Sequence, residues 1–385
     1  MRRQLVLLPA MILLTLACQA IGGATPTTGP TVFDSGCTAF GFFPTPPEVS
    51  VASALSIMRS IGEHADVILI QEPLPWADFL DGVDGDSQKM QDIRNTVQRA
   101  SQNGLEPVFI VDALQGFDRT RFVPLPPELK DANFGSEALR RTFKNYTLRL
   151  AREFHPRYLG LASEINTYLD AHPGDVTNFL SLYRETYQAV KAESPETQVF
   201  ATFQWEDLNN LGAFNDSSGK RIKWEAVEAF EPELDLWVIS TYPFAAFSSA
   251  ADIPPDYYTP LLSRTAKRLA VAEGGFNSED VASVKGTPQD QIDYLNAIHN
   301  QIGGRLNFWI YLLLDDFNMD SYARALRDQG QGSSVETLRL FSALGLRTFN
   351  GAPKPALAVW DSFRAQRVTA QSLMPDCQIR RLTGV

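Results

Sequence analysis

The chain has 385 residues, of which 44% are hydrophobic and 21% charged; it can bury one large core or two smaller ones, and its composition does not suggest disorder. A formal net charge of -11 without clusters of Lys and Arg argues against nucleic acid as a partner, because a phosphate backbone is met by concentrated positive charge. His64, His155, His172 and His299 have no metal-ligand spacing with each other or with a cysteine pair, so no catalytic metal and no other cofactor is expected.

At the N-terminus, Arg2 and Arg3 precede an apolar stretch from Leu5 to Leu16, which ends at Ala17-Cys18. This is the layout of a signal peptide; the stretch is shorter than the roughly 20 apolar residues of a membrane span, and small polar residues follow it. The segment Leu14-Thr15-Leu16-Ala17-Cys18 resembles a bacterial lipoprotein lipobox, which implies lipidation of Cys18 and a protein anchored outside a bacterial membrane. Thr15 departs from the aliphatic residue that motif prefers, and cleavage by an ordinary signal peptidase near Ala17 or Ala20 is the alternative. Residues 1–18 are thus read as signal peptide and 19–32, rich in Gly, Pro, Thr and Ala, as a flexible tether. Residues 33–385 are read as one folded domain. Cys37 and Cys377 lie near the two ends of that domain, where an oxidising compartment would allow a disulfide; two buried thiols are the alternative.

Along the folded part, short apolar runs alternate with longer amphipathic stretches, the pattern of repeated β-α units around a parallel sheet. Strands are predicted at 38–43, 66–71, 107–112, 158–163, 198–203, 234–241, 268–272 and 306–312. Helices are predicted at 51–64, 87–103, 136–154, 176–193 and 288–302, several opened by Ser, Asp or Thr-Pro start signals. Eight such units match a (β/α)8 TIM barrel, typically about 250 residues and longer with insertions. An open doubly wound sheet is the runner-up, disfavoured because Phe42-Phe43-Pro44-Thr45-Pro46-Pro47 follows the first strand where a Gly-rich phosphate loop would stand. Residues 114–135, with Pro124, Pro126 and Pro127, form a long loop after strand three, of the kind that serves as a lid or wall.

In this architecture the active site is built at the C-terminal strand ends. Strand four closes Leu161-Ala162-Ser163-Glu164-Ile165-Asn166, and strand seven closes Val271-Ala272-Glu273-Gly274. A carboxylate at a barrel mouth is partly desolvated and costs stability unless paired, so two facing one cavity point to chemistry rather than packing. Either one alone also suits a capping or salt-bridged group. Glycosidic cleavage needs one carboxyl to protonate the leaving oxygen and one to meet the charge at the anomeric carbon; a separation of about 5–5.5 Å permits direct attack and net retention.

These residues resemble the clan of retaining glycoside hydrolases with catalytic glutamates on strands four and seven, which includes cellulases, galactanases and mannanases. The resemblance implies Glu164 as acid/base, Glu273 as nucleophile, and Tyr242, in Ser240-Thr241-Tyr242-Pro243, as the nucleophile's hydrogen-bond partner. It implies that Trp309, in Asn307-Phe308-Trp309-Ile310-Tyr311, floors the sugar subsite, and that the stretch from Gly345 to Trp360 closes the barrel. Ser163 stands where the clan usually carries an Asn that bonds the sugar 2-hydroxyl, with Asn166 two residues past Glu164. Further candidates for sugar contacts are Phe42, Trp76, Trp205 with Glu206 and Asp207, Asp315 with Asp316, and Gln71 with Glu72. The expected activity is hydrolysis of a β-linked oligo- or polysaccharide by a monomer that meets the membrane only through its lipid. A carbohydrate-binding lipoprotein on a degenerate barrel and a cell-surface transglycosylase are the alternatives.

Overall fold

The computed structural model describes residues 31–33, 38–214, 222–371 and 379–381, with side chains for 38–214 and 222–366. Cys18, Cys37 and Cys377 lie outside the described residues. Each apolar run becomes a strand: β1 Ala39–Phe42, β2 Val67–Pro73, β3 Glu106–Asp112, β4 Tyr158–Gly160, β5 Gln198–Phe200 continued as Thr202–Gln204, β6 Trp237–Thr241, β7 Leu269–Gly274 and β8 Leu306–Tyr311. All neighbouring pairs are parallel, and β8 pairs with β1 from Phe308↔Ala39 to Tyr311↔Phe42. The fifth strand breaks at Ala201; its first segment pairs with β4 and its second with β6, so that strand carries the ring round. The result is the (β/α)8 barrel.

The crossovers carry α1 Val51–His64, α2 Gln88–Gln102, α3 Glu137–Phe154, α4 Val176–Glu193, α5 Glu225–Glu228, α6 Pro260–Arg264, α7 Pro288–Ile302 and α8 Pro355–Gln371. The start signals work as caps: Ser50 accepts the Ser53 amide at 3.1 Å, Ser87 that of Met90 at 3.4 Å, and Thr287, ahead of Pro288, that of Asp290 at 3.2 Å. Thr31–Phe33, which takes in the end of the expected tether, pairs antiparallel with Ile379–Arg381.

Apolar packing falls in two shells. Inside the barrel, Phe308 reaches across to Tyr158 and Phe200, with ring centroids 5.0 and 5.7 Å apart. Gly160 is required there, since a Cβ would stand 2.8 Å from Ile110 and 2.9 Å from Phe200. Outside the wall, Phe40, Phe42, Trp309 and Tyr311 pack on Trp360 of α8. Two site expectations are corrected by this side-chain alternation. Trp309 lies against Phe40, Trp360 and Phe363, between strand and helix, and cannot floor a subsite in the mouth. Phe42, wholly buried against Tyr311 and Trp360, is on the same helix-facing side.

The barrel-closing segment is pinned by charge. Arg347 grips Asp315 through two bonds of 2.6 and 2.9 Å, and Lys354 holds Asp316 at 2.7 Å, so Asp315 serves closure rather than sugar binding. Trp360 then donates to the His64 carbonyl at 2.9 Å, tying α8 to the end of α1. Because Trp309 fills the wall-to-helix shell, Trp309→Ala is expected to lower unfolding free energy by about 3–5 kcal/mol, read by urea denaturation followed by circular dichroism. A change below about 1 kcal/mol would contradict a core position.

Candidate active site

The mouth is built where β3, β4, β6 and β7 end. Beyond Gly160 the fourth strand loses regular pairing but keeps bonds to the fifth, with the Leu161 amide on the Phe200 carbonyl and the Thr202 amide on the Ala162 carbonyl. This irregular exit turns Glu164 into the left-handed region, at φ 47 and ψ 43, just before the short helix Ile165–Ala171. A glutamate held there costs on the order of 1–3 kcal/mol and persists only when its surroundings over-determine it. Its amide is fixed by the Thr202 hydroxyl at 2.8 Å.

Glu273, at the end of β7, is the strand-pair partner of Ser240 on β6. The Ser240 hydroxyl donates to Glu164 Oε1 at 2.5 Å, so a residue beside one carboxylate holds the other. Tyr242 Oη donates to Glu273 Oε2 at 3.3 Å, and Ser163 Oγ donates to Glu273 Oε1 at 3.2 Å. Both glutamates have no exposure to solvent.

One cation meets them. After β3 the chain forms an antiparallel hairpin, Leu114–Gln115 with Asp118–Phe122, and Arg119 from its second strand is buried in the mouth. Its guanidinium donates to Glu164 Oε2 at 3.2 Å, to Asp112 Oδ2 at 2.6 Å and to Ser163 Oγ at 3.1 Å. Asp112, closing β3, also accepts from Gln71 Nε2 at 2.9 Å, while Gln71 Oε1 is buried without a partner. Burial pushes the Glu164 carboxyl up to about 7, against the pull of Arg119 and the Ser240 bond. It pushes Glu273 up to about 8, with the Glu164 charge adding to the rise and Arg119 opposing it. The pair therefore retains a proton near neutrality. Burial works against charge on Arg119 too, but Asp112, Glu164 and Glu273 outweigh it, so Arg119 stays protonated. Burial and the Glu273 charge raise the Tyr242 phenol, keeping it a neutral donor.

Solved structures with this arrangement of elements include glycosidases. An exo-β-1,4-mannosidase from Opitutaceae bacterium strain TAV5 superposes with a TM-score of 0.64 at 15% identity, covering 91% of this chain and 63% of its own. A GH5_18 variant from Bifidobacterium longum subsp. longum, in complex with Manβ1-4GlcNAc, gives 0.59 at 16% identity, covering 86% and 79%. A family 1 β-glucosidase from Thermotoga maritima gives 0.53 at 14%, covering 81% and 85%. The chain shares the fold of (β/α)8 glycoside hydrolases. It spans less than two thirds of the mannosidase's length. No protein-family model matches the sequence, and no curated protein does.

Several predicted sugar contacts are committed elsewhere in this barrel. Asn166 accepts the Gln204 amide at 2.8 Å and donates to the Gln204 carbonyl at 3.1 Å and to Asp207 at 2.8 Å, so its amide fastens the loop after β5. Trp205 is buried among Trp224, Tyr257 and Tyr258. Glu206 accepts from Gln204, Thr241, Tyr257 and the Tyr242 amide at 2.7 to 3.0 Å, a brace behind the Tyr242 turn. Asp207 pairs with Lys223 at 3.2 Å, and Glu72 with Lys89 of α2 at 3.0 Å. Trp76 adjoins the hairpin, edge-on to Phe122 at 6.1 Å. Arg119, Asp112 and Ser240 were not anticipated. Asp112 and Ser240 close apolar runs just as the glutamates do, a signal that was there to use; Arg119 reaches the mouth only through the hairpin's fold.

Protonation couples to stability with a definite sign. The ordinary carboxyl value is 4.5, and both glutamates lie above it when folded, so the native state holds more protons than the unfolded chain between about pH 4.5 and 8. Their contribution is fully present below that window and is lost as pH rises through it. Glu273→Gln removes one titration, so the variant's Tm should gain on wild type between pH 5 and pH 8. Parallel Tm profiles over that range would show that Glu273 is not proton-loaded.

Proposed function

We propose that this chain is a glycoside hydrolase that cleaves a β-linked oligo- or polysaccharide by double displacement, with Glu164 as acid/base and Glu273 as nucleophile. One observation carries the reading: in a barrel of the glycosidase type, two wholly buried carboxyls from β4 and β7 are joined through Ser163, Ser240 and Arg119. With Arg119 in place, the higher value of Glu273 puts the proton there and Arg119 favours an ionised Glu164. The reaction requires the reverse, so with sugar bound and Arg119 withdrawn the proton would have to sit on Glu164. Glu164 would then deliver it to the leaving glycosidic oxygen while ionised Glu273 attacks the anomeric carbon, and Glu164, now ionised, would activate water to free the sugar. Tyr242 supports this role for Glu273, because its hydroxyl steadies the charged carboxylate and orients it. Gln71, with a free carbonyl oxygen beside Asp112, is suited to accept from a sugar hydroxyl. Ser163 lacks the amide that the clan's Asn supplies, so contact to the 2-hydroxyl is expected to be weak. The structural neighbours named for β-1,4-mannoside and Manβ1-4GlcNAc make β-mannosides the first substrates to try.

A carbohydrate-binding protein without turnover is the second reading, favoured by the Arg119 bridge to Glu164. For delivery to the cell exterior, the charged, apolar and Ala17-Cys18 features of the first 18 residues support a lipid anchor on Cys18. The pairing of Thr31–Phe33 with Ile379–Arg381 supports a bridge between Cys37 and Cys377, which follow and precede those segments by four and two residues in the sequence.

A panel of chromogenic β-glycosides and polysaccharides tests the proposal. Glu164→Ala should lower kcat by about 10²- to 10⁴-fold, least for activated leaving groups that need no proton. Added azide should then yield a β-glycosyl azide in Glu164→Ala and an α-glycosyl azide in Glu273→Ala, because each variant opens the opposite face of the sugar. Sugar binding without turnover across the panel would favour the second reading instead.

A further inference from the structure

We propose that the hairpin 114–122 is a lid, and that Arg119 is the plug it holds between the two glutamates, so that the structure is the closed, self-occluded state of the site. This rests on the glycosidase reading for what enters the site, but not for the movement. Glu164 and Glu273 have no exposure, so no sugar reaches them while the hairpin is docked. The donors of Arg119 go to Asp112, Glu164 and Ser163, all outside the hairpin. A carboxylate pair that meets positive charge at an anomeric carbon also suits a guanidinium, and the hairpin thereby stands in for the charged centre of the substrate.

The hairpin is not part of the barrel. Its strands pair only with each other, and its base is tied by the Leu114 amide to Asp112 Oδ1 at 3.2 Å and the Val123 amide to the Ala113 carbonyl at 2.9 Å. What fastens its far side is a two-part latch. The Phe122 ring sits in a box of Trp76, Phe134 and Tyr168, with centroids 6.1, 4.8 and 5.6 Å away. Exposed His172, following the helix that Glu164 opens, meets the Thr120 carbonyl at 2.7 Å; a carbonyl only accepts, so Nε2 carries the proton. Tyr168, its ring tilted 32° against that of His172 with centroids 4.4 Å apart, joins both parts of the latch. Neither latch residue touches Glu164 or Glu273, so a substitution in the latch removes no contact of the carboxylates themselves and acts on them only by releasing Arg119.

Opening is measured without any sugar by coupling exposed carboxyls to glycine ethyl ester with a water-soluble carbodiimide and following Glu164 and Glu273 by peptide mass spectrometry. In wild type both should label slowly. His172→Ala and Phe122→Ala should label at least tenfold faster at both positions, while His172→Gln, which can still donate to Thr120, stays near wild type. Turnover should follow: kcat/KM for a β-glycoside rises by the factor by which labelling rises, since both track the open fraction. Unchanged labelling in variants that keep the wild-type circular dichroism would overturn the lid, and His172→Ala carries the test should Phe122→Ala not fold. Faster labelling with a fall in kcat/KM would also overturn it, because the docked hairpin would then belong to the productive complex. Faster labelling without turnover or binding of any sugar would leave the lid standing and remove the glycosidase reading.

Discussion

At the mouth of this barrel Glu164, Glu273 and Asp112 share a space from which water is excluded, and the guanidinium of Arg119 is the cation that meets them there. Taking a charge out of water costs several kcal/mol even after the protein relaxes, so such a cluster survives only with well-placed partners. The partners are supplied by the ends of β4 and β6 and by the hairpin: Ser163, Ser240, Tyr242 and Arg119. Even so, the charge does not balance. Three carboxyls against one guanidinium leave an excess of negative potential, and the glutamates answer it by holding a proton between them.

That shared proton connects energetics to chemistry. A carboxyl able to give a proton near neutral pH and a carboxylate able to meet positive charge are what glycosidic cleavage needs, and the repulsion between Glu164 and Glu273 keeps one of the two protonated while the other ionises. The left-handed backbone at Glu164 belongs to the same constraint, since an irregular exit from β4 aims the side chain at Ser240 rather than along the strand. The barrel absorbs this strain because the aromatic shells, Tyr158, Phe200 and Phe308 within and Trp309 and Trp360 without, hold the strands in place.

Around the mouth, polar residues divide into those that face the reacting position and those that hold the loops. Glu206 and Asn166 look like sugar ligands by type and place, yet each is bonded to backbone or to neighbouring side chains of the β5 and β6 loops. Asp315 is spent on Arg347 in closing the barrel. These groups brace the mouth, whereas the hairpin shares no strand pairing with the barrel and is held to it by side chains, Arg119 and Phe122, and by the His172 bond to Thr120.

The order of apolar runs and amphipathic stretches determined the barrel, because period-2 and period-3.6 patterns are local and each helix start carries its own cap, as at Ser50, Ser87 and Thr287. The position of Glu164 and Glu273 at strand ends was legible for the same reason: a charge that closes an apolar run marks the place where a strand leaves the core. Which way a ring faces was not. Trp309 and Phe42 point at α8 because a bulge between β7 and β8 and the register of β8 on β1 set the alternation, and register is a property of paired strands rather than of one segment. Nor could sequence separation show that Arg119 lies against Glu164, or that Asn166 faces Gln204 rather than the cavity, since those contacts exist only once the loops above the strands have folded over one another.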